Sequence, residues 1–419
     1  MAPDNGGGGA HVTAVRGNRY ATIRPCPVCG GSTASALQEM RFTLPDEHPL
    51  ADRYTVACCC TCGFVYADTP SSQAVYDRYY AELSKYSDAI TGTGGGESDW
   101  DRRRLEDTAR VIARALGDPS ARTVDIGCAN GGLLAALERE GMTRLEGVDP
   151  SPACVDATSR LSHAKGYVGG LFDLPDAVRN ADAAVLSHVL EHVRDVPRAL
   201  GQLRGVLRPG GMAYVEVPDA TRYSDCLVAP FQDFNVEHIN HFSPASLANA
   251  LEQNGFVVEH VEQKTIAASA TAPYPAVFAI ARAIQVGDVS APRYDESLSP
   301  AIADYIDRSR DLLDTIARHL DRELAGVREI VVWGTGQTTL TAVANTSLGG
   351  ARVVAFTDSS SRYHGRRLAG IPVVPPESVR EYDVPIVVGS IIHHDAIASR
   401  IRELGLRNAV IPIAPLASR

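Results

Sequence analysis

An acidic residue and two glycines at close spacing are the first candidates for chemistry. The segment 124–134 reads Val-Asp-Ile-Gly-Cys-Ala-Asn-Gly-Gly-Leu-Leu, which places Asp125, Gly127 and Gly131 in the spacing Asp-x-Gly-x-x-x-Gly. The pattern predicts a short buried strand, a tight turn and the start of an apolar helix. A glycine turn lets the backbone run close beneath a ligand, because a Cβ atom at those positions would collide with it.

A second acidic residue follows on the next predicted strand. Asp149 ends the stretch Leu-Glu-Gly-Val-Asp, where a carboxylate can accept hydrogen bonds from both ribose hydroxyls of a bound nucleoside. The spacing at Gly127 differs from the Gly-x-Gly-x-x-Gly of a pyrophosphate-binding turn. The alternative is an ordinary strand-turn-helix junction without a ligand. Because the glycine turn and the distal acid occur together, the sequence predicts a nucleoside site.

Paired cysteines near the N-terminus form another candidate site. The chain has nine cysteines, and four of the six within its first 62 residues make two Cys-x-x-Cys pairs: Cys26, Cys29, Cys59 and Cys62. Two such turns brought together by a hairpin supply four sulfurs to a closed tetrahedral zinc site, which is structural because no coordination position stays open. Regular spacing favours Cys59 over Cys58 as the third ligand. The alternative is a set of buried free cysteines.

A histidine beside a glutamate is the third candidate. Glu237 and His238 lie in the segment 235–244, Asn-Val-Glu-His-Ile-Asn-His-Phe-Ser-Pro. A His–Glu pair in a loop at the strand ends is a candidate for proton transfer. Alternatively, both side chains only fix the loop while Ser243 caps the following helix. His241 is predicted to be structural.

These residues require a fold that brings strand ends together. From residue 124 onward, predicted strands alternate with helices, which is typical of a parallel doubly wound α/β sheet. Such a sheet binds its ligand at the carboxyl ends of the strands. One predicted strand ends at Ser187, and His192 follows shortly after it. We therefore expect His192 and the segment 218–243 to border the ligand.

The last hundred residues repeat the strand-and-turn pattern. Predicted strands fall within 329–337, 353–358 and 386–390. They indicate a second Rossmann-like unit with parallel strand order. Gly334 and Gly336, with Thr339 where a third glycine would stand, are a weak dinucleotide signal. Binding of NAD, binding of a nucleotide or another part of the substrate, and a purely scaffolding role all remain open.

Length and composition set limits on the protein class. At 419 residues, two or three domains are expected, and 45% apolar with 21% charged residues is typical of soluble globular proteins. The formal net charge of −10 argues against a surface that holds nucleic-acid phosphates. The N-terminus lacks the regions of a signal peptide, and no run of 18 apolar residues predicts a membrane span. A cytoplasmic location is expected.

The order of the motifs carries a family resemblance. The glycine turn with Asp149 resembles motif I and the following acidic strand end of class I S-adenosylmethionine (SAM) methyltransferases. The whole series resembles the three-domain SAM-dependent sugar C-methyltransferases over about residues 22–415. It runs Cys-x-x-Cys, Cys-x-x-Cys-Gly-Phe-Val-Tyr, Ser-Lys-Tyr, the SAM motif, Glu-His and a C-terminal Gly-Thr-Gly. The implied α/β architecture is a zinc-binding module at 20–75, a SAM-dependent methyltransferase domain at 76–265, a linker and connecting helix at 266–325, and a Rossmann-like domain at 326–419.

The resemblance also implies residue roles. His238 would be the general base with Glu237 as its neighbour, while His192 would line the pocket and Tyr86 would lie near the sugar. Phe172 would lie in the loop that flanks the adenine ring. The full set expected to hold SAM is Asp125, Gly127, Asn130, Gly131, Asp149, Phe172 and Ser187. This chain departs from the family at Asn235, where members typically carry a tyrosine three positions before the catalytic histidine.

The implied reaction is methylation of a carbon next to the ketone of a nucleotide-linked 4-keto-deoxysugar, as in deoxysugar and antibiotic biosynthesis. Carbon becomes nucleophilic only after it loses a proton, and histidine suits that task because its pKa lies near neutrality. The expected cofactors are SAM and structural zinc, and the expected partner is a small nucleotide sugar rather than nucleic acid or membrane. The oligomeric state stays open and is compatible with a monomer.

Three alternatives remain at this stage. An O- or N-methyltransferase acting on a sugar or another small natural product would have the same three-domain build, and Asn235 gives it weight. An RNA methyltransferase can also carry a zinc ribbon before its SAM domain, although the acidic balance of this chain counts against it. A non-enzymatic assembly protein with two nucleoside folds is the third.

Overall fold

Within the residues that the structure describes, three β-sheets follow one another along the chain. A computed structural model describes residues 17–82, 95–96, 98–267, 269, 272–284 and 291–415. Within these residues, no helix combines the length and the apolar character that crossing a membrane would require.

The first sheet is antiparallel and carries both cysteine pairs. Its order is β1-β2-β3-β4-β10, with β1 at Arg19–Ala21, β2 at Thr33–Arg41, β3 at Arg53–Cys59, β4 at Val65–Asp68 and β10 at Asn240–His241. The β2–β3 hairpin pairs Ala34 with Cys59, which brings the two Cys-x-x-Cys turns to the same end. Because β10 comes from much later in the chain, it fastens this module to the central domain. Helix α1 (Gln73–Glu82) follows.

The second sheet has seven strands in the order β11-β12-β9-β8-β5-β6-β7. Their bounds are β5 Thr123–Ile126, β6 Leu145–Asp149, β7 Lys165–Val168, β8 Ala181–Ser187, β9 Leu207–Pro218, β11 Phe256–Ala267 and β12 Pro273–Ala283. The helices of this domain are α2 Asp99–Leu116, α3 Gly132–Arg139, α4 Pro152–Leu161, α5 Val196–Val206 and α6 Pro244–Gln253. Strands β5 to β9 are parallel, whereas β11 and β12 are antiparallel. Strands β6 and β7 are added on one side of β5, whereas β8 and β9 are added on the other. The boundary between β5 and β8 is therefore the point where the strand order reverses, which is where such sheets bind ligands.

Strand β12 differs from the prediction that residues 266–325 are a linker and a connecting helix. It lies between β9 and β11, so part of that range belongs to the central sheet. Two features hid it. Pro273 is the first residue of the strand, where the missing N–H is tolerated. Most of the remaining strand is buried on both faces, so the sequence lacks the polar–apolar alternation of a half-exposed strand.

The third sheet confirms a Rossmann-like C-terminal unit and corrects its strand order. The order is β15-β16-β14-β13-β17-β18, with β13 at Glu329–Trp333, β14 at Arg352–Thr357, β15 at Arg367–Leu368, β16 at Ile371–Val374, β17 at Ile386–Val388 and β18 at Val410–Pro412. The flanking helices are α8 Gln337–Asn345 and α9 His394–Glu403. The sheet is mixed rather than fully parallel, because β15 forms a short antiparallel hairpin with β16.

A long helix, α7 (Leu298–Glu323), joins the second and third sheets. Its first half places Ile302 and Ile306 in the core shared by the first two sheets. Its second half places Ile316 and Leu320 in the core of the C-terminal domain. One amphipathic helix therefore fixes the orientation of the C-terminal domain, as its apolar pattern predicts.

Candidate active site and cysteine cluster

The turn after β5 has the shape that its glycines predict. Gly127 and Gly131 both have φ of 81°, a conformation that side chains rarely adopt. A Cβ on Gly127 would lie 2.9 Å from Val189 Cγ2, and a Cβ on Gly131 would lie 2.7 Å from Thr158 Cα. The glycines therefore allow the turn to pack closely against the segment that follows β8 and against α4, in addition to any role toward a ligand.

Two buried carboxylates lie at this turn. Asp149 Oδ2 accepts from the N–H of Ala129 (3.0 Å) and Oδ1 accepts from the N–H of Ser151 (2.8 Å), which fixes the side chain under the glycine turn. Burial and then the charge of Asp149 raise the pKa of Asp125 to about 7. Burial also raises the pKa of Asp149. Hydroxyl or ammonium groups of a ligand would stabilise both carboxylates in their charged form.

The other residues predicted to hold SAM surround the same strand ends. Asn130 is buried in the turn, and Ser187 is the last residue of β8, directly beside β5 in the sheet. The loop that contains Phe172 begins at Gly169, whose N–H donates to the backbone carbonyl of Asp149 (3.0 Å). The Phe172 ring is half-buried, with the Arg198 guanidinium 4.4 Å from its centroid. The structure thus brings the predicted set together at one edge of the sheet.

A cluster of histidines and glutamates lies next to these strand ends. His192 belongs to a short 3₁₀ turn, Leu190–His192, that follows β8. Its ring stands nearly perpendicular to that of His238, with centroids 4.8 Å apart. His192 Nδ1 lies 3.2 Å from the backbone carbonyl of Glu237. The fold therefore brings together three of the four predicted catalytic residues. The fourth, Tyr86, lies outside the described residues.

Two tyrosines of α1 complete this cluster. The hydroxyl of Tyr79 donates to Glu237 Oε1 (2.8 Å), and the hydroxyl of Tyr80 lies 2.9 Å from His192 Nδ1. These contacts depend on how α1 packs against residues 158 and 112 positions later in the chain, for which the local sequence gave no signal.

Asn235 organises the loop that carries Glu237 and His238. Its Oδ1 accepts from the N–H groups of both Glu237 (2.9 Å) and His238 (2.8 Å), which closes a tight turn. From the N-terminal module, the Tyr54 hydroxyl donates to the Asn235 carbonyl (3.0 Å) and the Tyr76 hydroxyl donates to the next carbonyl (3.2 Å). Asn235 is therefore a loop-forming residue in this chain.

Four cysteine sulfurs converge at the end of the first sheet. The Sγ atoms of Cys26, Cys29, Cys59 and Cys62 all lie within 4.8 Å of one another. The closest pairs are 3.4 and 3.6 Å apart, near the spacing of about 3.8 Å expected around tetrahedral zinc. Two backbone N–H groups donate to these sulfurs, those of Gly31 and Thr61 (3.4 Å each). The donor set and spacing fit zinc. Cys58 stays outside the cluster, since its Sγ contacts the Gly63 carbonyl.

The C-terminal domain reaches the same loop. Gln337 Nε2, at the start of α8, donates to the backbone carbonyl of Phe234 (3.2 Å). The predicted strand-end acid Asp358 accepts from both the N–H and the hydroxyl of Thr335 (2.8 Å each), so this carboxylate holds its own glycine turn. Thr339 packs against Gly389, because a Cβ atom on Gly389 would overlap the Thr339 hydroxyl.

Comparisons with known proteins agree with this geometry. Residues 100–261 match the family described as methyltransferase domain, and residues 326–411 match the family described as C2185-like, N-terminal. A probable S-adenosylmethionine-dependent methyltransferase of Mycolicibacterium smegmatis is 27% identical over 248 residues, covering 53% of this chain and 90% of the relative. The protein is a SAM-dependent methyltransferase.

Further relatives and solved structures are similar over shorter or more distant stretches. A ubiquinone biosynthesis O-methyltransferase of Bradyrhizobium sp. is 34% identical over 118 residues, covering 27% of this methyltransferase and 45% of the relative. The chain spans about half the length of several such curated relatives. The structure of Burkholderia thailandensis 1,6-didemethyltoxoflavin-N1-methyltransferase matches with a TM-score of 0.40 and 18% identity, covering 53% of this chain and 95% of that one.

Proposed function

We propose that this methyltransferase transfers a methyl group to carbon, next to the ketone of a nucleotide-linked 4-keto-deoxysugar. The observation that carries the proposal is the cluster of His192, Glu237 and His238 beside the donor strand ends. Oxygen and nitrogen acceptors carry lone pairs, whereas a carbon acceptor needs a base to remove a proton first. A histidine with a carboxylate neighbour held by Tyr79 supplies such a base.

The reaction follows from this arrangement. His238 removes the proton from the carbon next to the ketone, and the electron pair of the broken C–H bond forms an enolate. Bound SAM supplies an electrophilic methyl group. The enolate carbon forms the new C–C bond as the carbon–sulfur bond breaks, and the sulfonium leaves as a neutral thioether. The surrounding residues must align the partners and exclude water, and we assign Glu237, His192 and Tyr86 to this pocket.

The part of the substrate away from the ketone is assigned to the interface with the C-terminal domain. Gln337 touches the loop that carries Glu237 and His238, so a ligand on the α8 turn would be adjacent to the base. His48, from the N-terminal module, has its ring centroid 5.3 Å from that of Tyr79. Burial lowers the pKa of His48, and the charge of Arg366 in the C-terminal domain lowers it further. Arg366 is exposed here and suits a diphosphate.

Zinc is proposed as a structural ion in the four-cysteine cluster. All four positions of a tetrahedral site would be occupied by sulfur, so the ion would have no role in methyl transfer. Its role would be to hold the turn against which α7 begins. A Cβ on Gly63 would overlap the Asp295 carbonyl, and the Asp295 N–H donates to the Cys62 carbonyl (2.9 Å).

Solvent exchange tests the proposed base. In deuterium oxide with SAM's product S-adenosylhomocysteine (SAH) bound, the parent protein is expected to exchange the hydrogen next to the ketone of a dTDP-linked 4-keto-deoxysugar, read by NMR. His238→Ala is expected to lose exchange about 100-fold or more. His163→Ala is the control, because that side chain is 96% exposed. Exchange at the parental rate in His238→Ala would remove His238 as the base.

O- or N-methylation is the second candidate. The similarity to an O-methyltransferase of ubiquinone biosynthesis favours it. Product analysis separates the two, because a C-methyl product shows a new carbon–carbon coupling with ¹³C-labelled SAM, whereas an O-methyl product shows a methoxy shift. A methoxy product without solvent exchange would replace the proposal by this alternative.

A further inference from the structure

His188 lies between Ser187, at the end of β8, and the 3₁₀ turn that carries His192. It directly follows Ser187, the last residue of β8, and has φ of 56°. This left-handed conformation is strained for a residue that carries a Cβ atom. The His188 N–H donates to the Glu216 carbonyl (2.8 Å), so the sheet holds the conformation. Because strained residues of this kind cluster at functional sites, the side chain of His188 is a candidate for a function.

The imidazole of His188 bridges two buried carboxylates. Nε2 lies 3.2 Å from Glu216 Oε1 on β9, and Nδ1 lies 3.3 Å from Glu191 Oε1 on the following turn. Glu216 is fully buried and Glu191 is 1% exposed. A cation between two buried carboxylates stabilises both, and the His188 imidazole lies in that place.

The remaining groups around His188 balance this charge. Lys264 Nζ, on β11, lies 2.5 Å from Glu216 Oε2. The Tyr214 hydroxyl also donates to that oxygen. Two cations thus oppose two anions in the order Lys264, Glu216, His188, Glu191. Burial opposes the charge on His188, but the hydrogen bonds with both glutamates outweigh it and raise its pKa to about 9.

Glu191 links this ion network to His192 and to the segment that carries His238. Its Oε1 lies 3.8 Å from His192 Nε2, and its backbone carbonyl accepts from the N–H of Ile239 (2.8 Å), next to His238. Its second oxygen, Oε2, has no hydrogen-bond partner among the residues that the structure describes. The His188 ring, at 3.3 Å, is therefore nearer to Glu191 Oε1 than the His192 ring, at 3.8 Å.

We propose that His188 is a positioning residue: its imidazole holds the Glu191 carboxylate behind His192 and so fixes the His192 ring against Tyr80 and the Glu237 carbonyl. The proposal rests on the proposed function for the role of His192. The inference goes beyond the proposed function by placing the control of the His192 ring in the ion network of His188, Glu191, Glu216 and Lys264. Loss of one His188 proton would leave a single N–H between the two carboxylates, so one of them would lose its imidazole donor and the hold on His192 would weaken.

His188→Asn tests this idea with little disturbance of the backbone, because asparagine tolerates the left-handed conformation but carries no charge. We expect kcat to fall about 10- to 100-fold, while the Kd of SAH from calorimetry changes less than about threefold. Parental kcat is expected to fall as pH rises through about 9, and this alkaline limb is expected to disappear in the variant. His260→Asn, an exposed histidine paired with Glu262, is the control.

A second variant tests whether an imidazole at this position is what the activity requires. His188→Gly suits the same φ, and the His188 side chain is 22% exposed, so added imidazole can reach the vacated space. Imidazole is expected to restore much of the lost kcat. Absence of rescue together with an unchanged pH profile in His188→Asn would overturn the inference, as would a loss of SAH affinity equal to the loss of kcat.

Nitrogen NMR separates this inference from the proposed function. In ¹⁵N-histidine-labelled protein, the His192 ring nitrogens are expected to shift on His188→Asn without any acceptor present. Unchanged His192 signals would overturn the inference whatever the substrate is. If the His192 signals shift in His188→Asn but the parent protein methylates no 4-keto nucleotide sugar, only the substrate assignment would be overturned.

Discussion

Asp125 and Asp149 give the donor site a charge that depends on pH. Burial and the charge of Asp149 raise the pKa of Asp125 to about 7, so Asp125 is only partly ionised near neutrality. A donor that carries a sulfonium and an ammonium favours the ionised form of both. Donor binding and deprotonation of Asp125 are therefore coupled.

This coupling predicts a pH-dependent donor affinity. Because the ligand binds the ionised form better, the Kd of SAH is expected to rise as pH falls below about 7, by up to about tenfold per unit. Calorimetry between pH 5 and 8 measures it. Asp125→Asn removes the titrating group and is expected to flatten the profile, whereas Asp118→Asn, on an exposed loop, should leave it unchanged. A flat profile in the parent would contradict the assignment of Asp125.

Two general rules made part of the site predictable from the sequence. Asp125, Gly127 and Gly131 are local, because the turn they form is dictated by their own spacing and its conformation needs glycine. His192 and His238 are far apart in sequence, but the rule that ligands bind at the carboxyl ends of parallel strands placed them together. No comparable rule predicts the positions of Tyr79 and Tyr80. Their position depends on the packing of one helix, which no short pattern encodes.

At the scale of elements, the cysteine cluster, α6 and α7 form one connected unit. Asp295 caps α7 by accepting from the N–H of Ser297 (3.0 Å) and Leu298 (3.2 Å). The same residue hydrogen-bonds Ser243, the N-cap of α6, and its backbone rests on the second cysteine turn. The sequence predicted the cap at Ser243, but the contact with residue 295 arises only when the sheets pack together.

Removal of zinc is therefore expected to affect more than the N-terminal module. Cys59→Ser should abolish one equivalent of zinc, measured by elemental analysis, and lower the Tm by about 10 °C or more, because metal binding contributes folding free energy. Methyl transfer should fall as well, since β10 and the loop before it are anchored on this module. Cys60→Ser is the matched control, because Cys60 neighbours Cys59 but contacts Ser35 instead. Full zinc content in Cys59→Ser would contradict the ligand assignment.

The misread strand β12 shows where element prediction fails. Its proline at the start and its buried centre remove both signals on which a strand assignment depends, alternation and an uninterrupted backbone donor series. Helix α7 was easier to predict, because an apolar stripe that repeats at helical spacing over 26 residues is typical of one long amphipathic helix.

At the scale of the whole molecule, three separate modules meet at the loop that carries the candidate base. The first sheet contributes Tyr54 and His48, the second contributes His192, and the C-terminal domain contributes Gln337. The N-terminal and C-terminal modules also contact each other directly, since the Asp46 N–H donates to the Arg367 carbonyl (2.9 Å). A substrate with a sugar at one end and a diphosphonucleotide at the other would span these modules.

This arrangement predicts that binding and chemistry can be separated by mutation. Arg366 lies on the C-terminal side and exerts its charge on His48, so Arg366→Gln is expected to raise the KM for a nucleotide-linked acceptor about tenfold. The kcat should stay within about twofold, because Arg366 takes no part in proton removal. Steady-state kinetics measures both values, and calorimetry with a panel of nucleoside diphosphates should show the same loss of affinity. Arg402→Gln is the matched control, because the Arg402 guanidinium lies on α9 and donates to Ser399. An unchanged KM in Arg366→Gln would move the nucleotide away from this interface and leave the C-terminal domain as a scaffold for the loop.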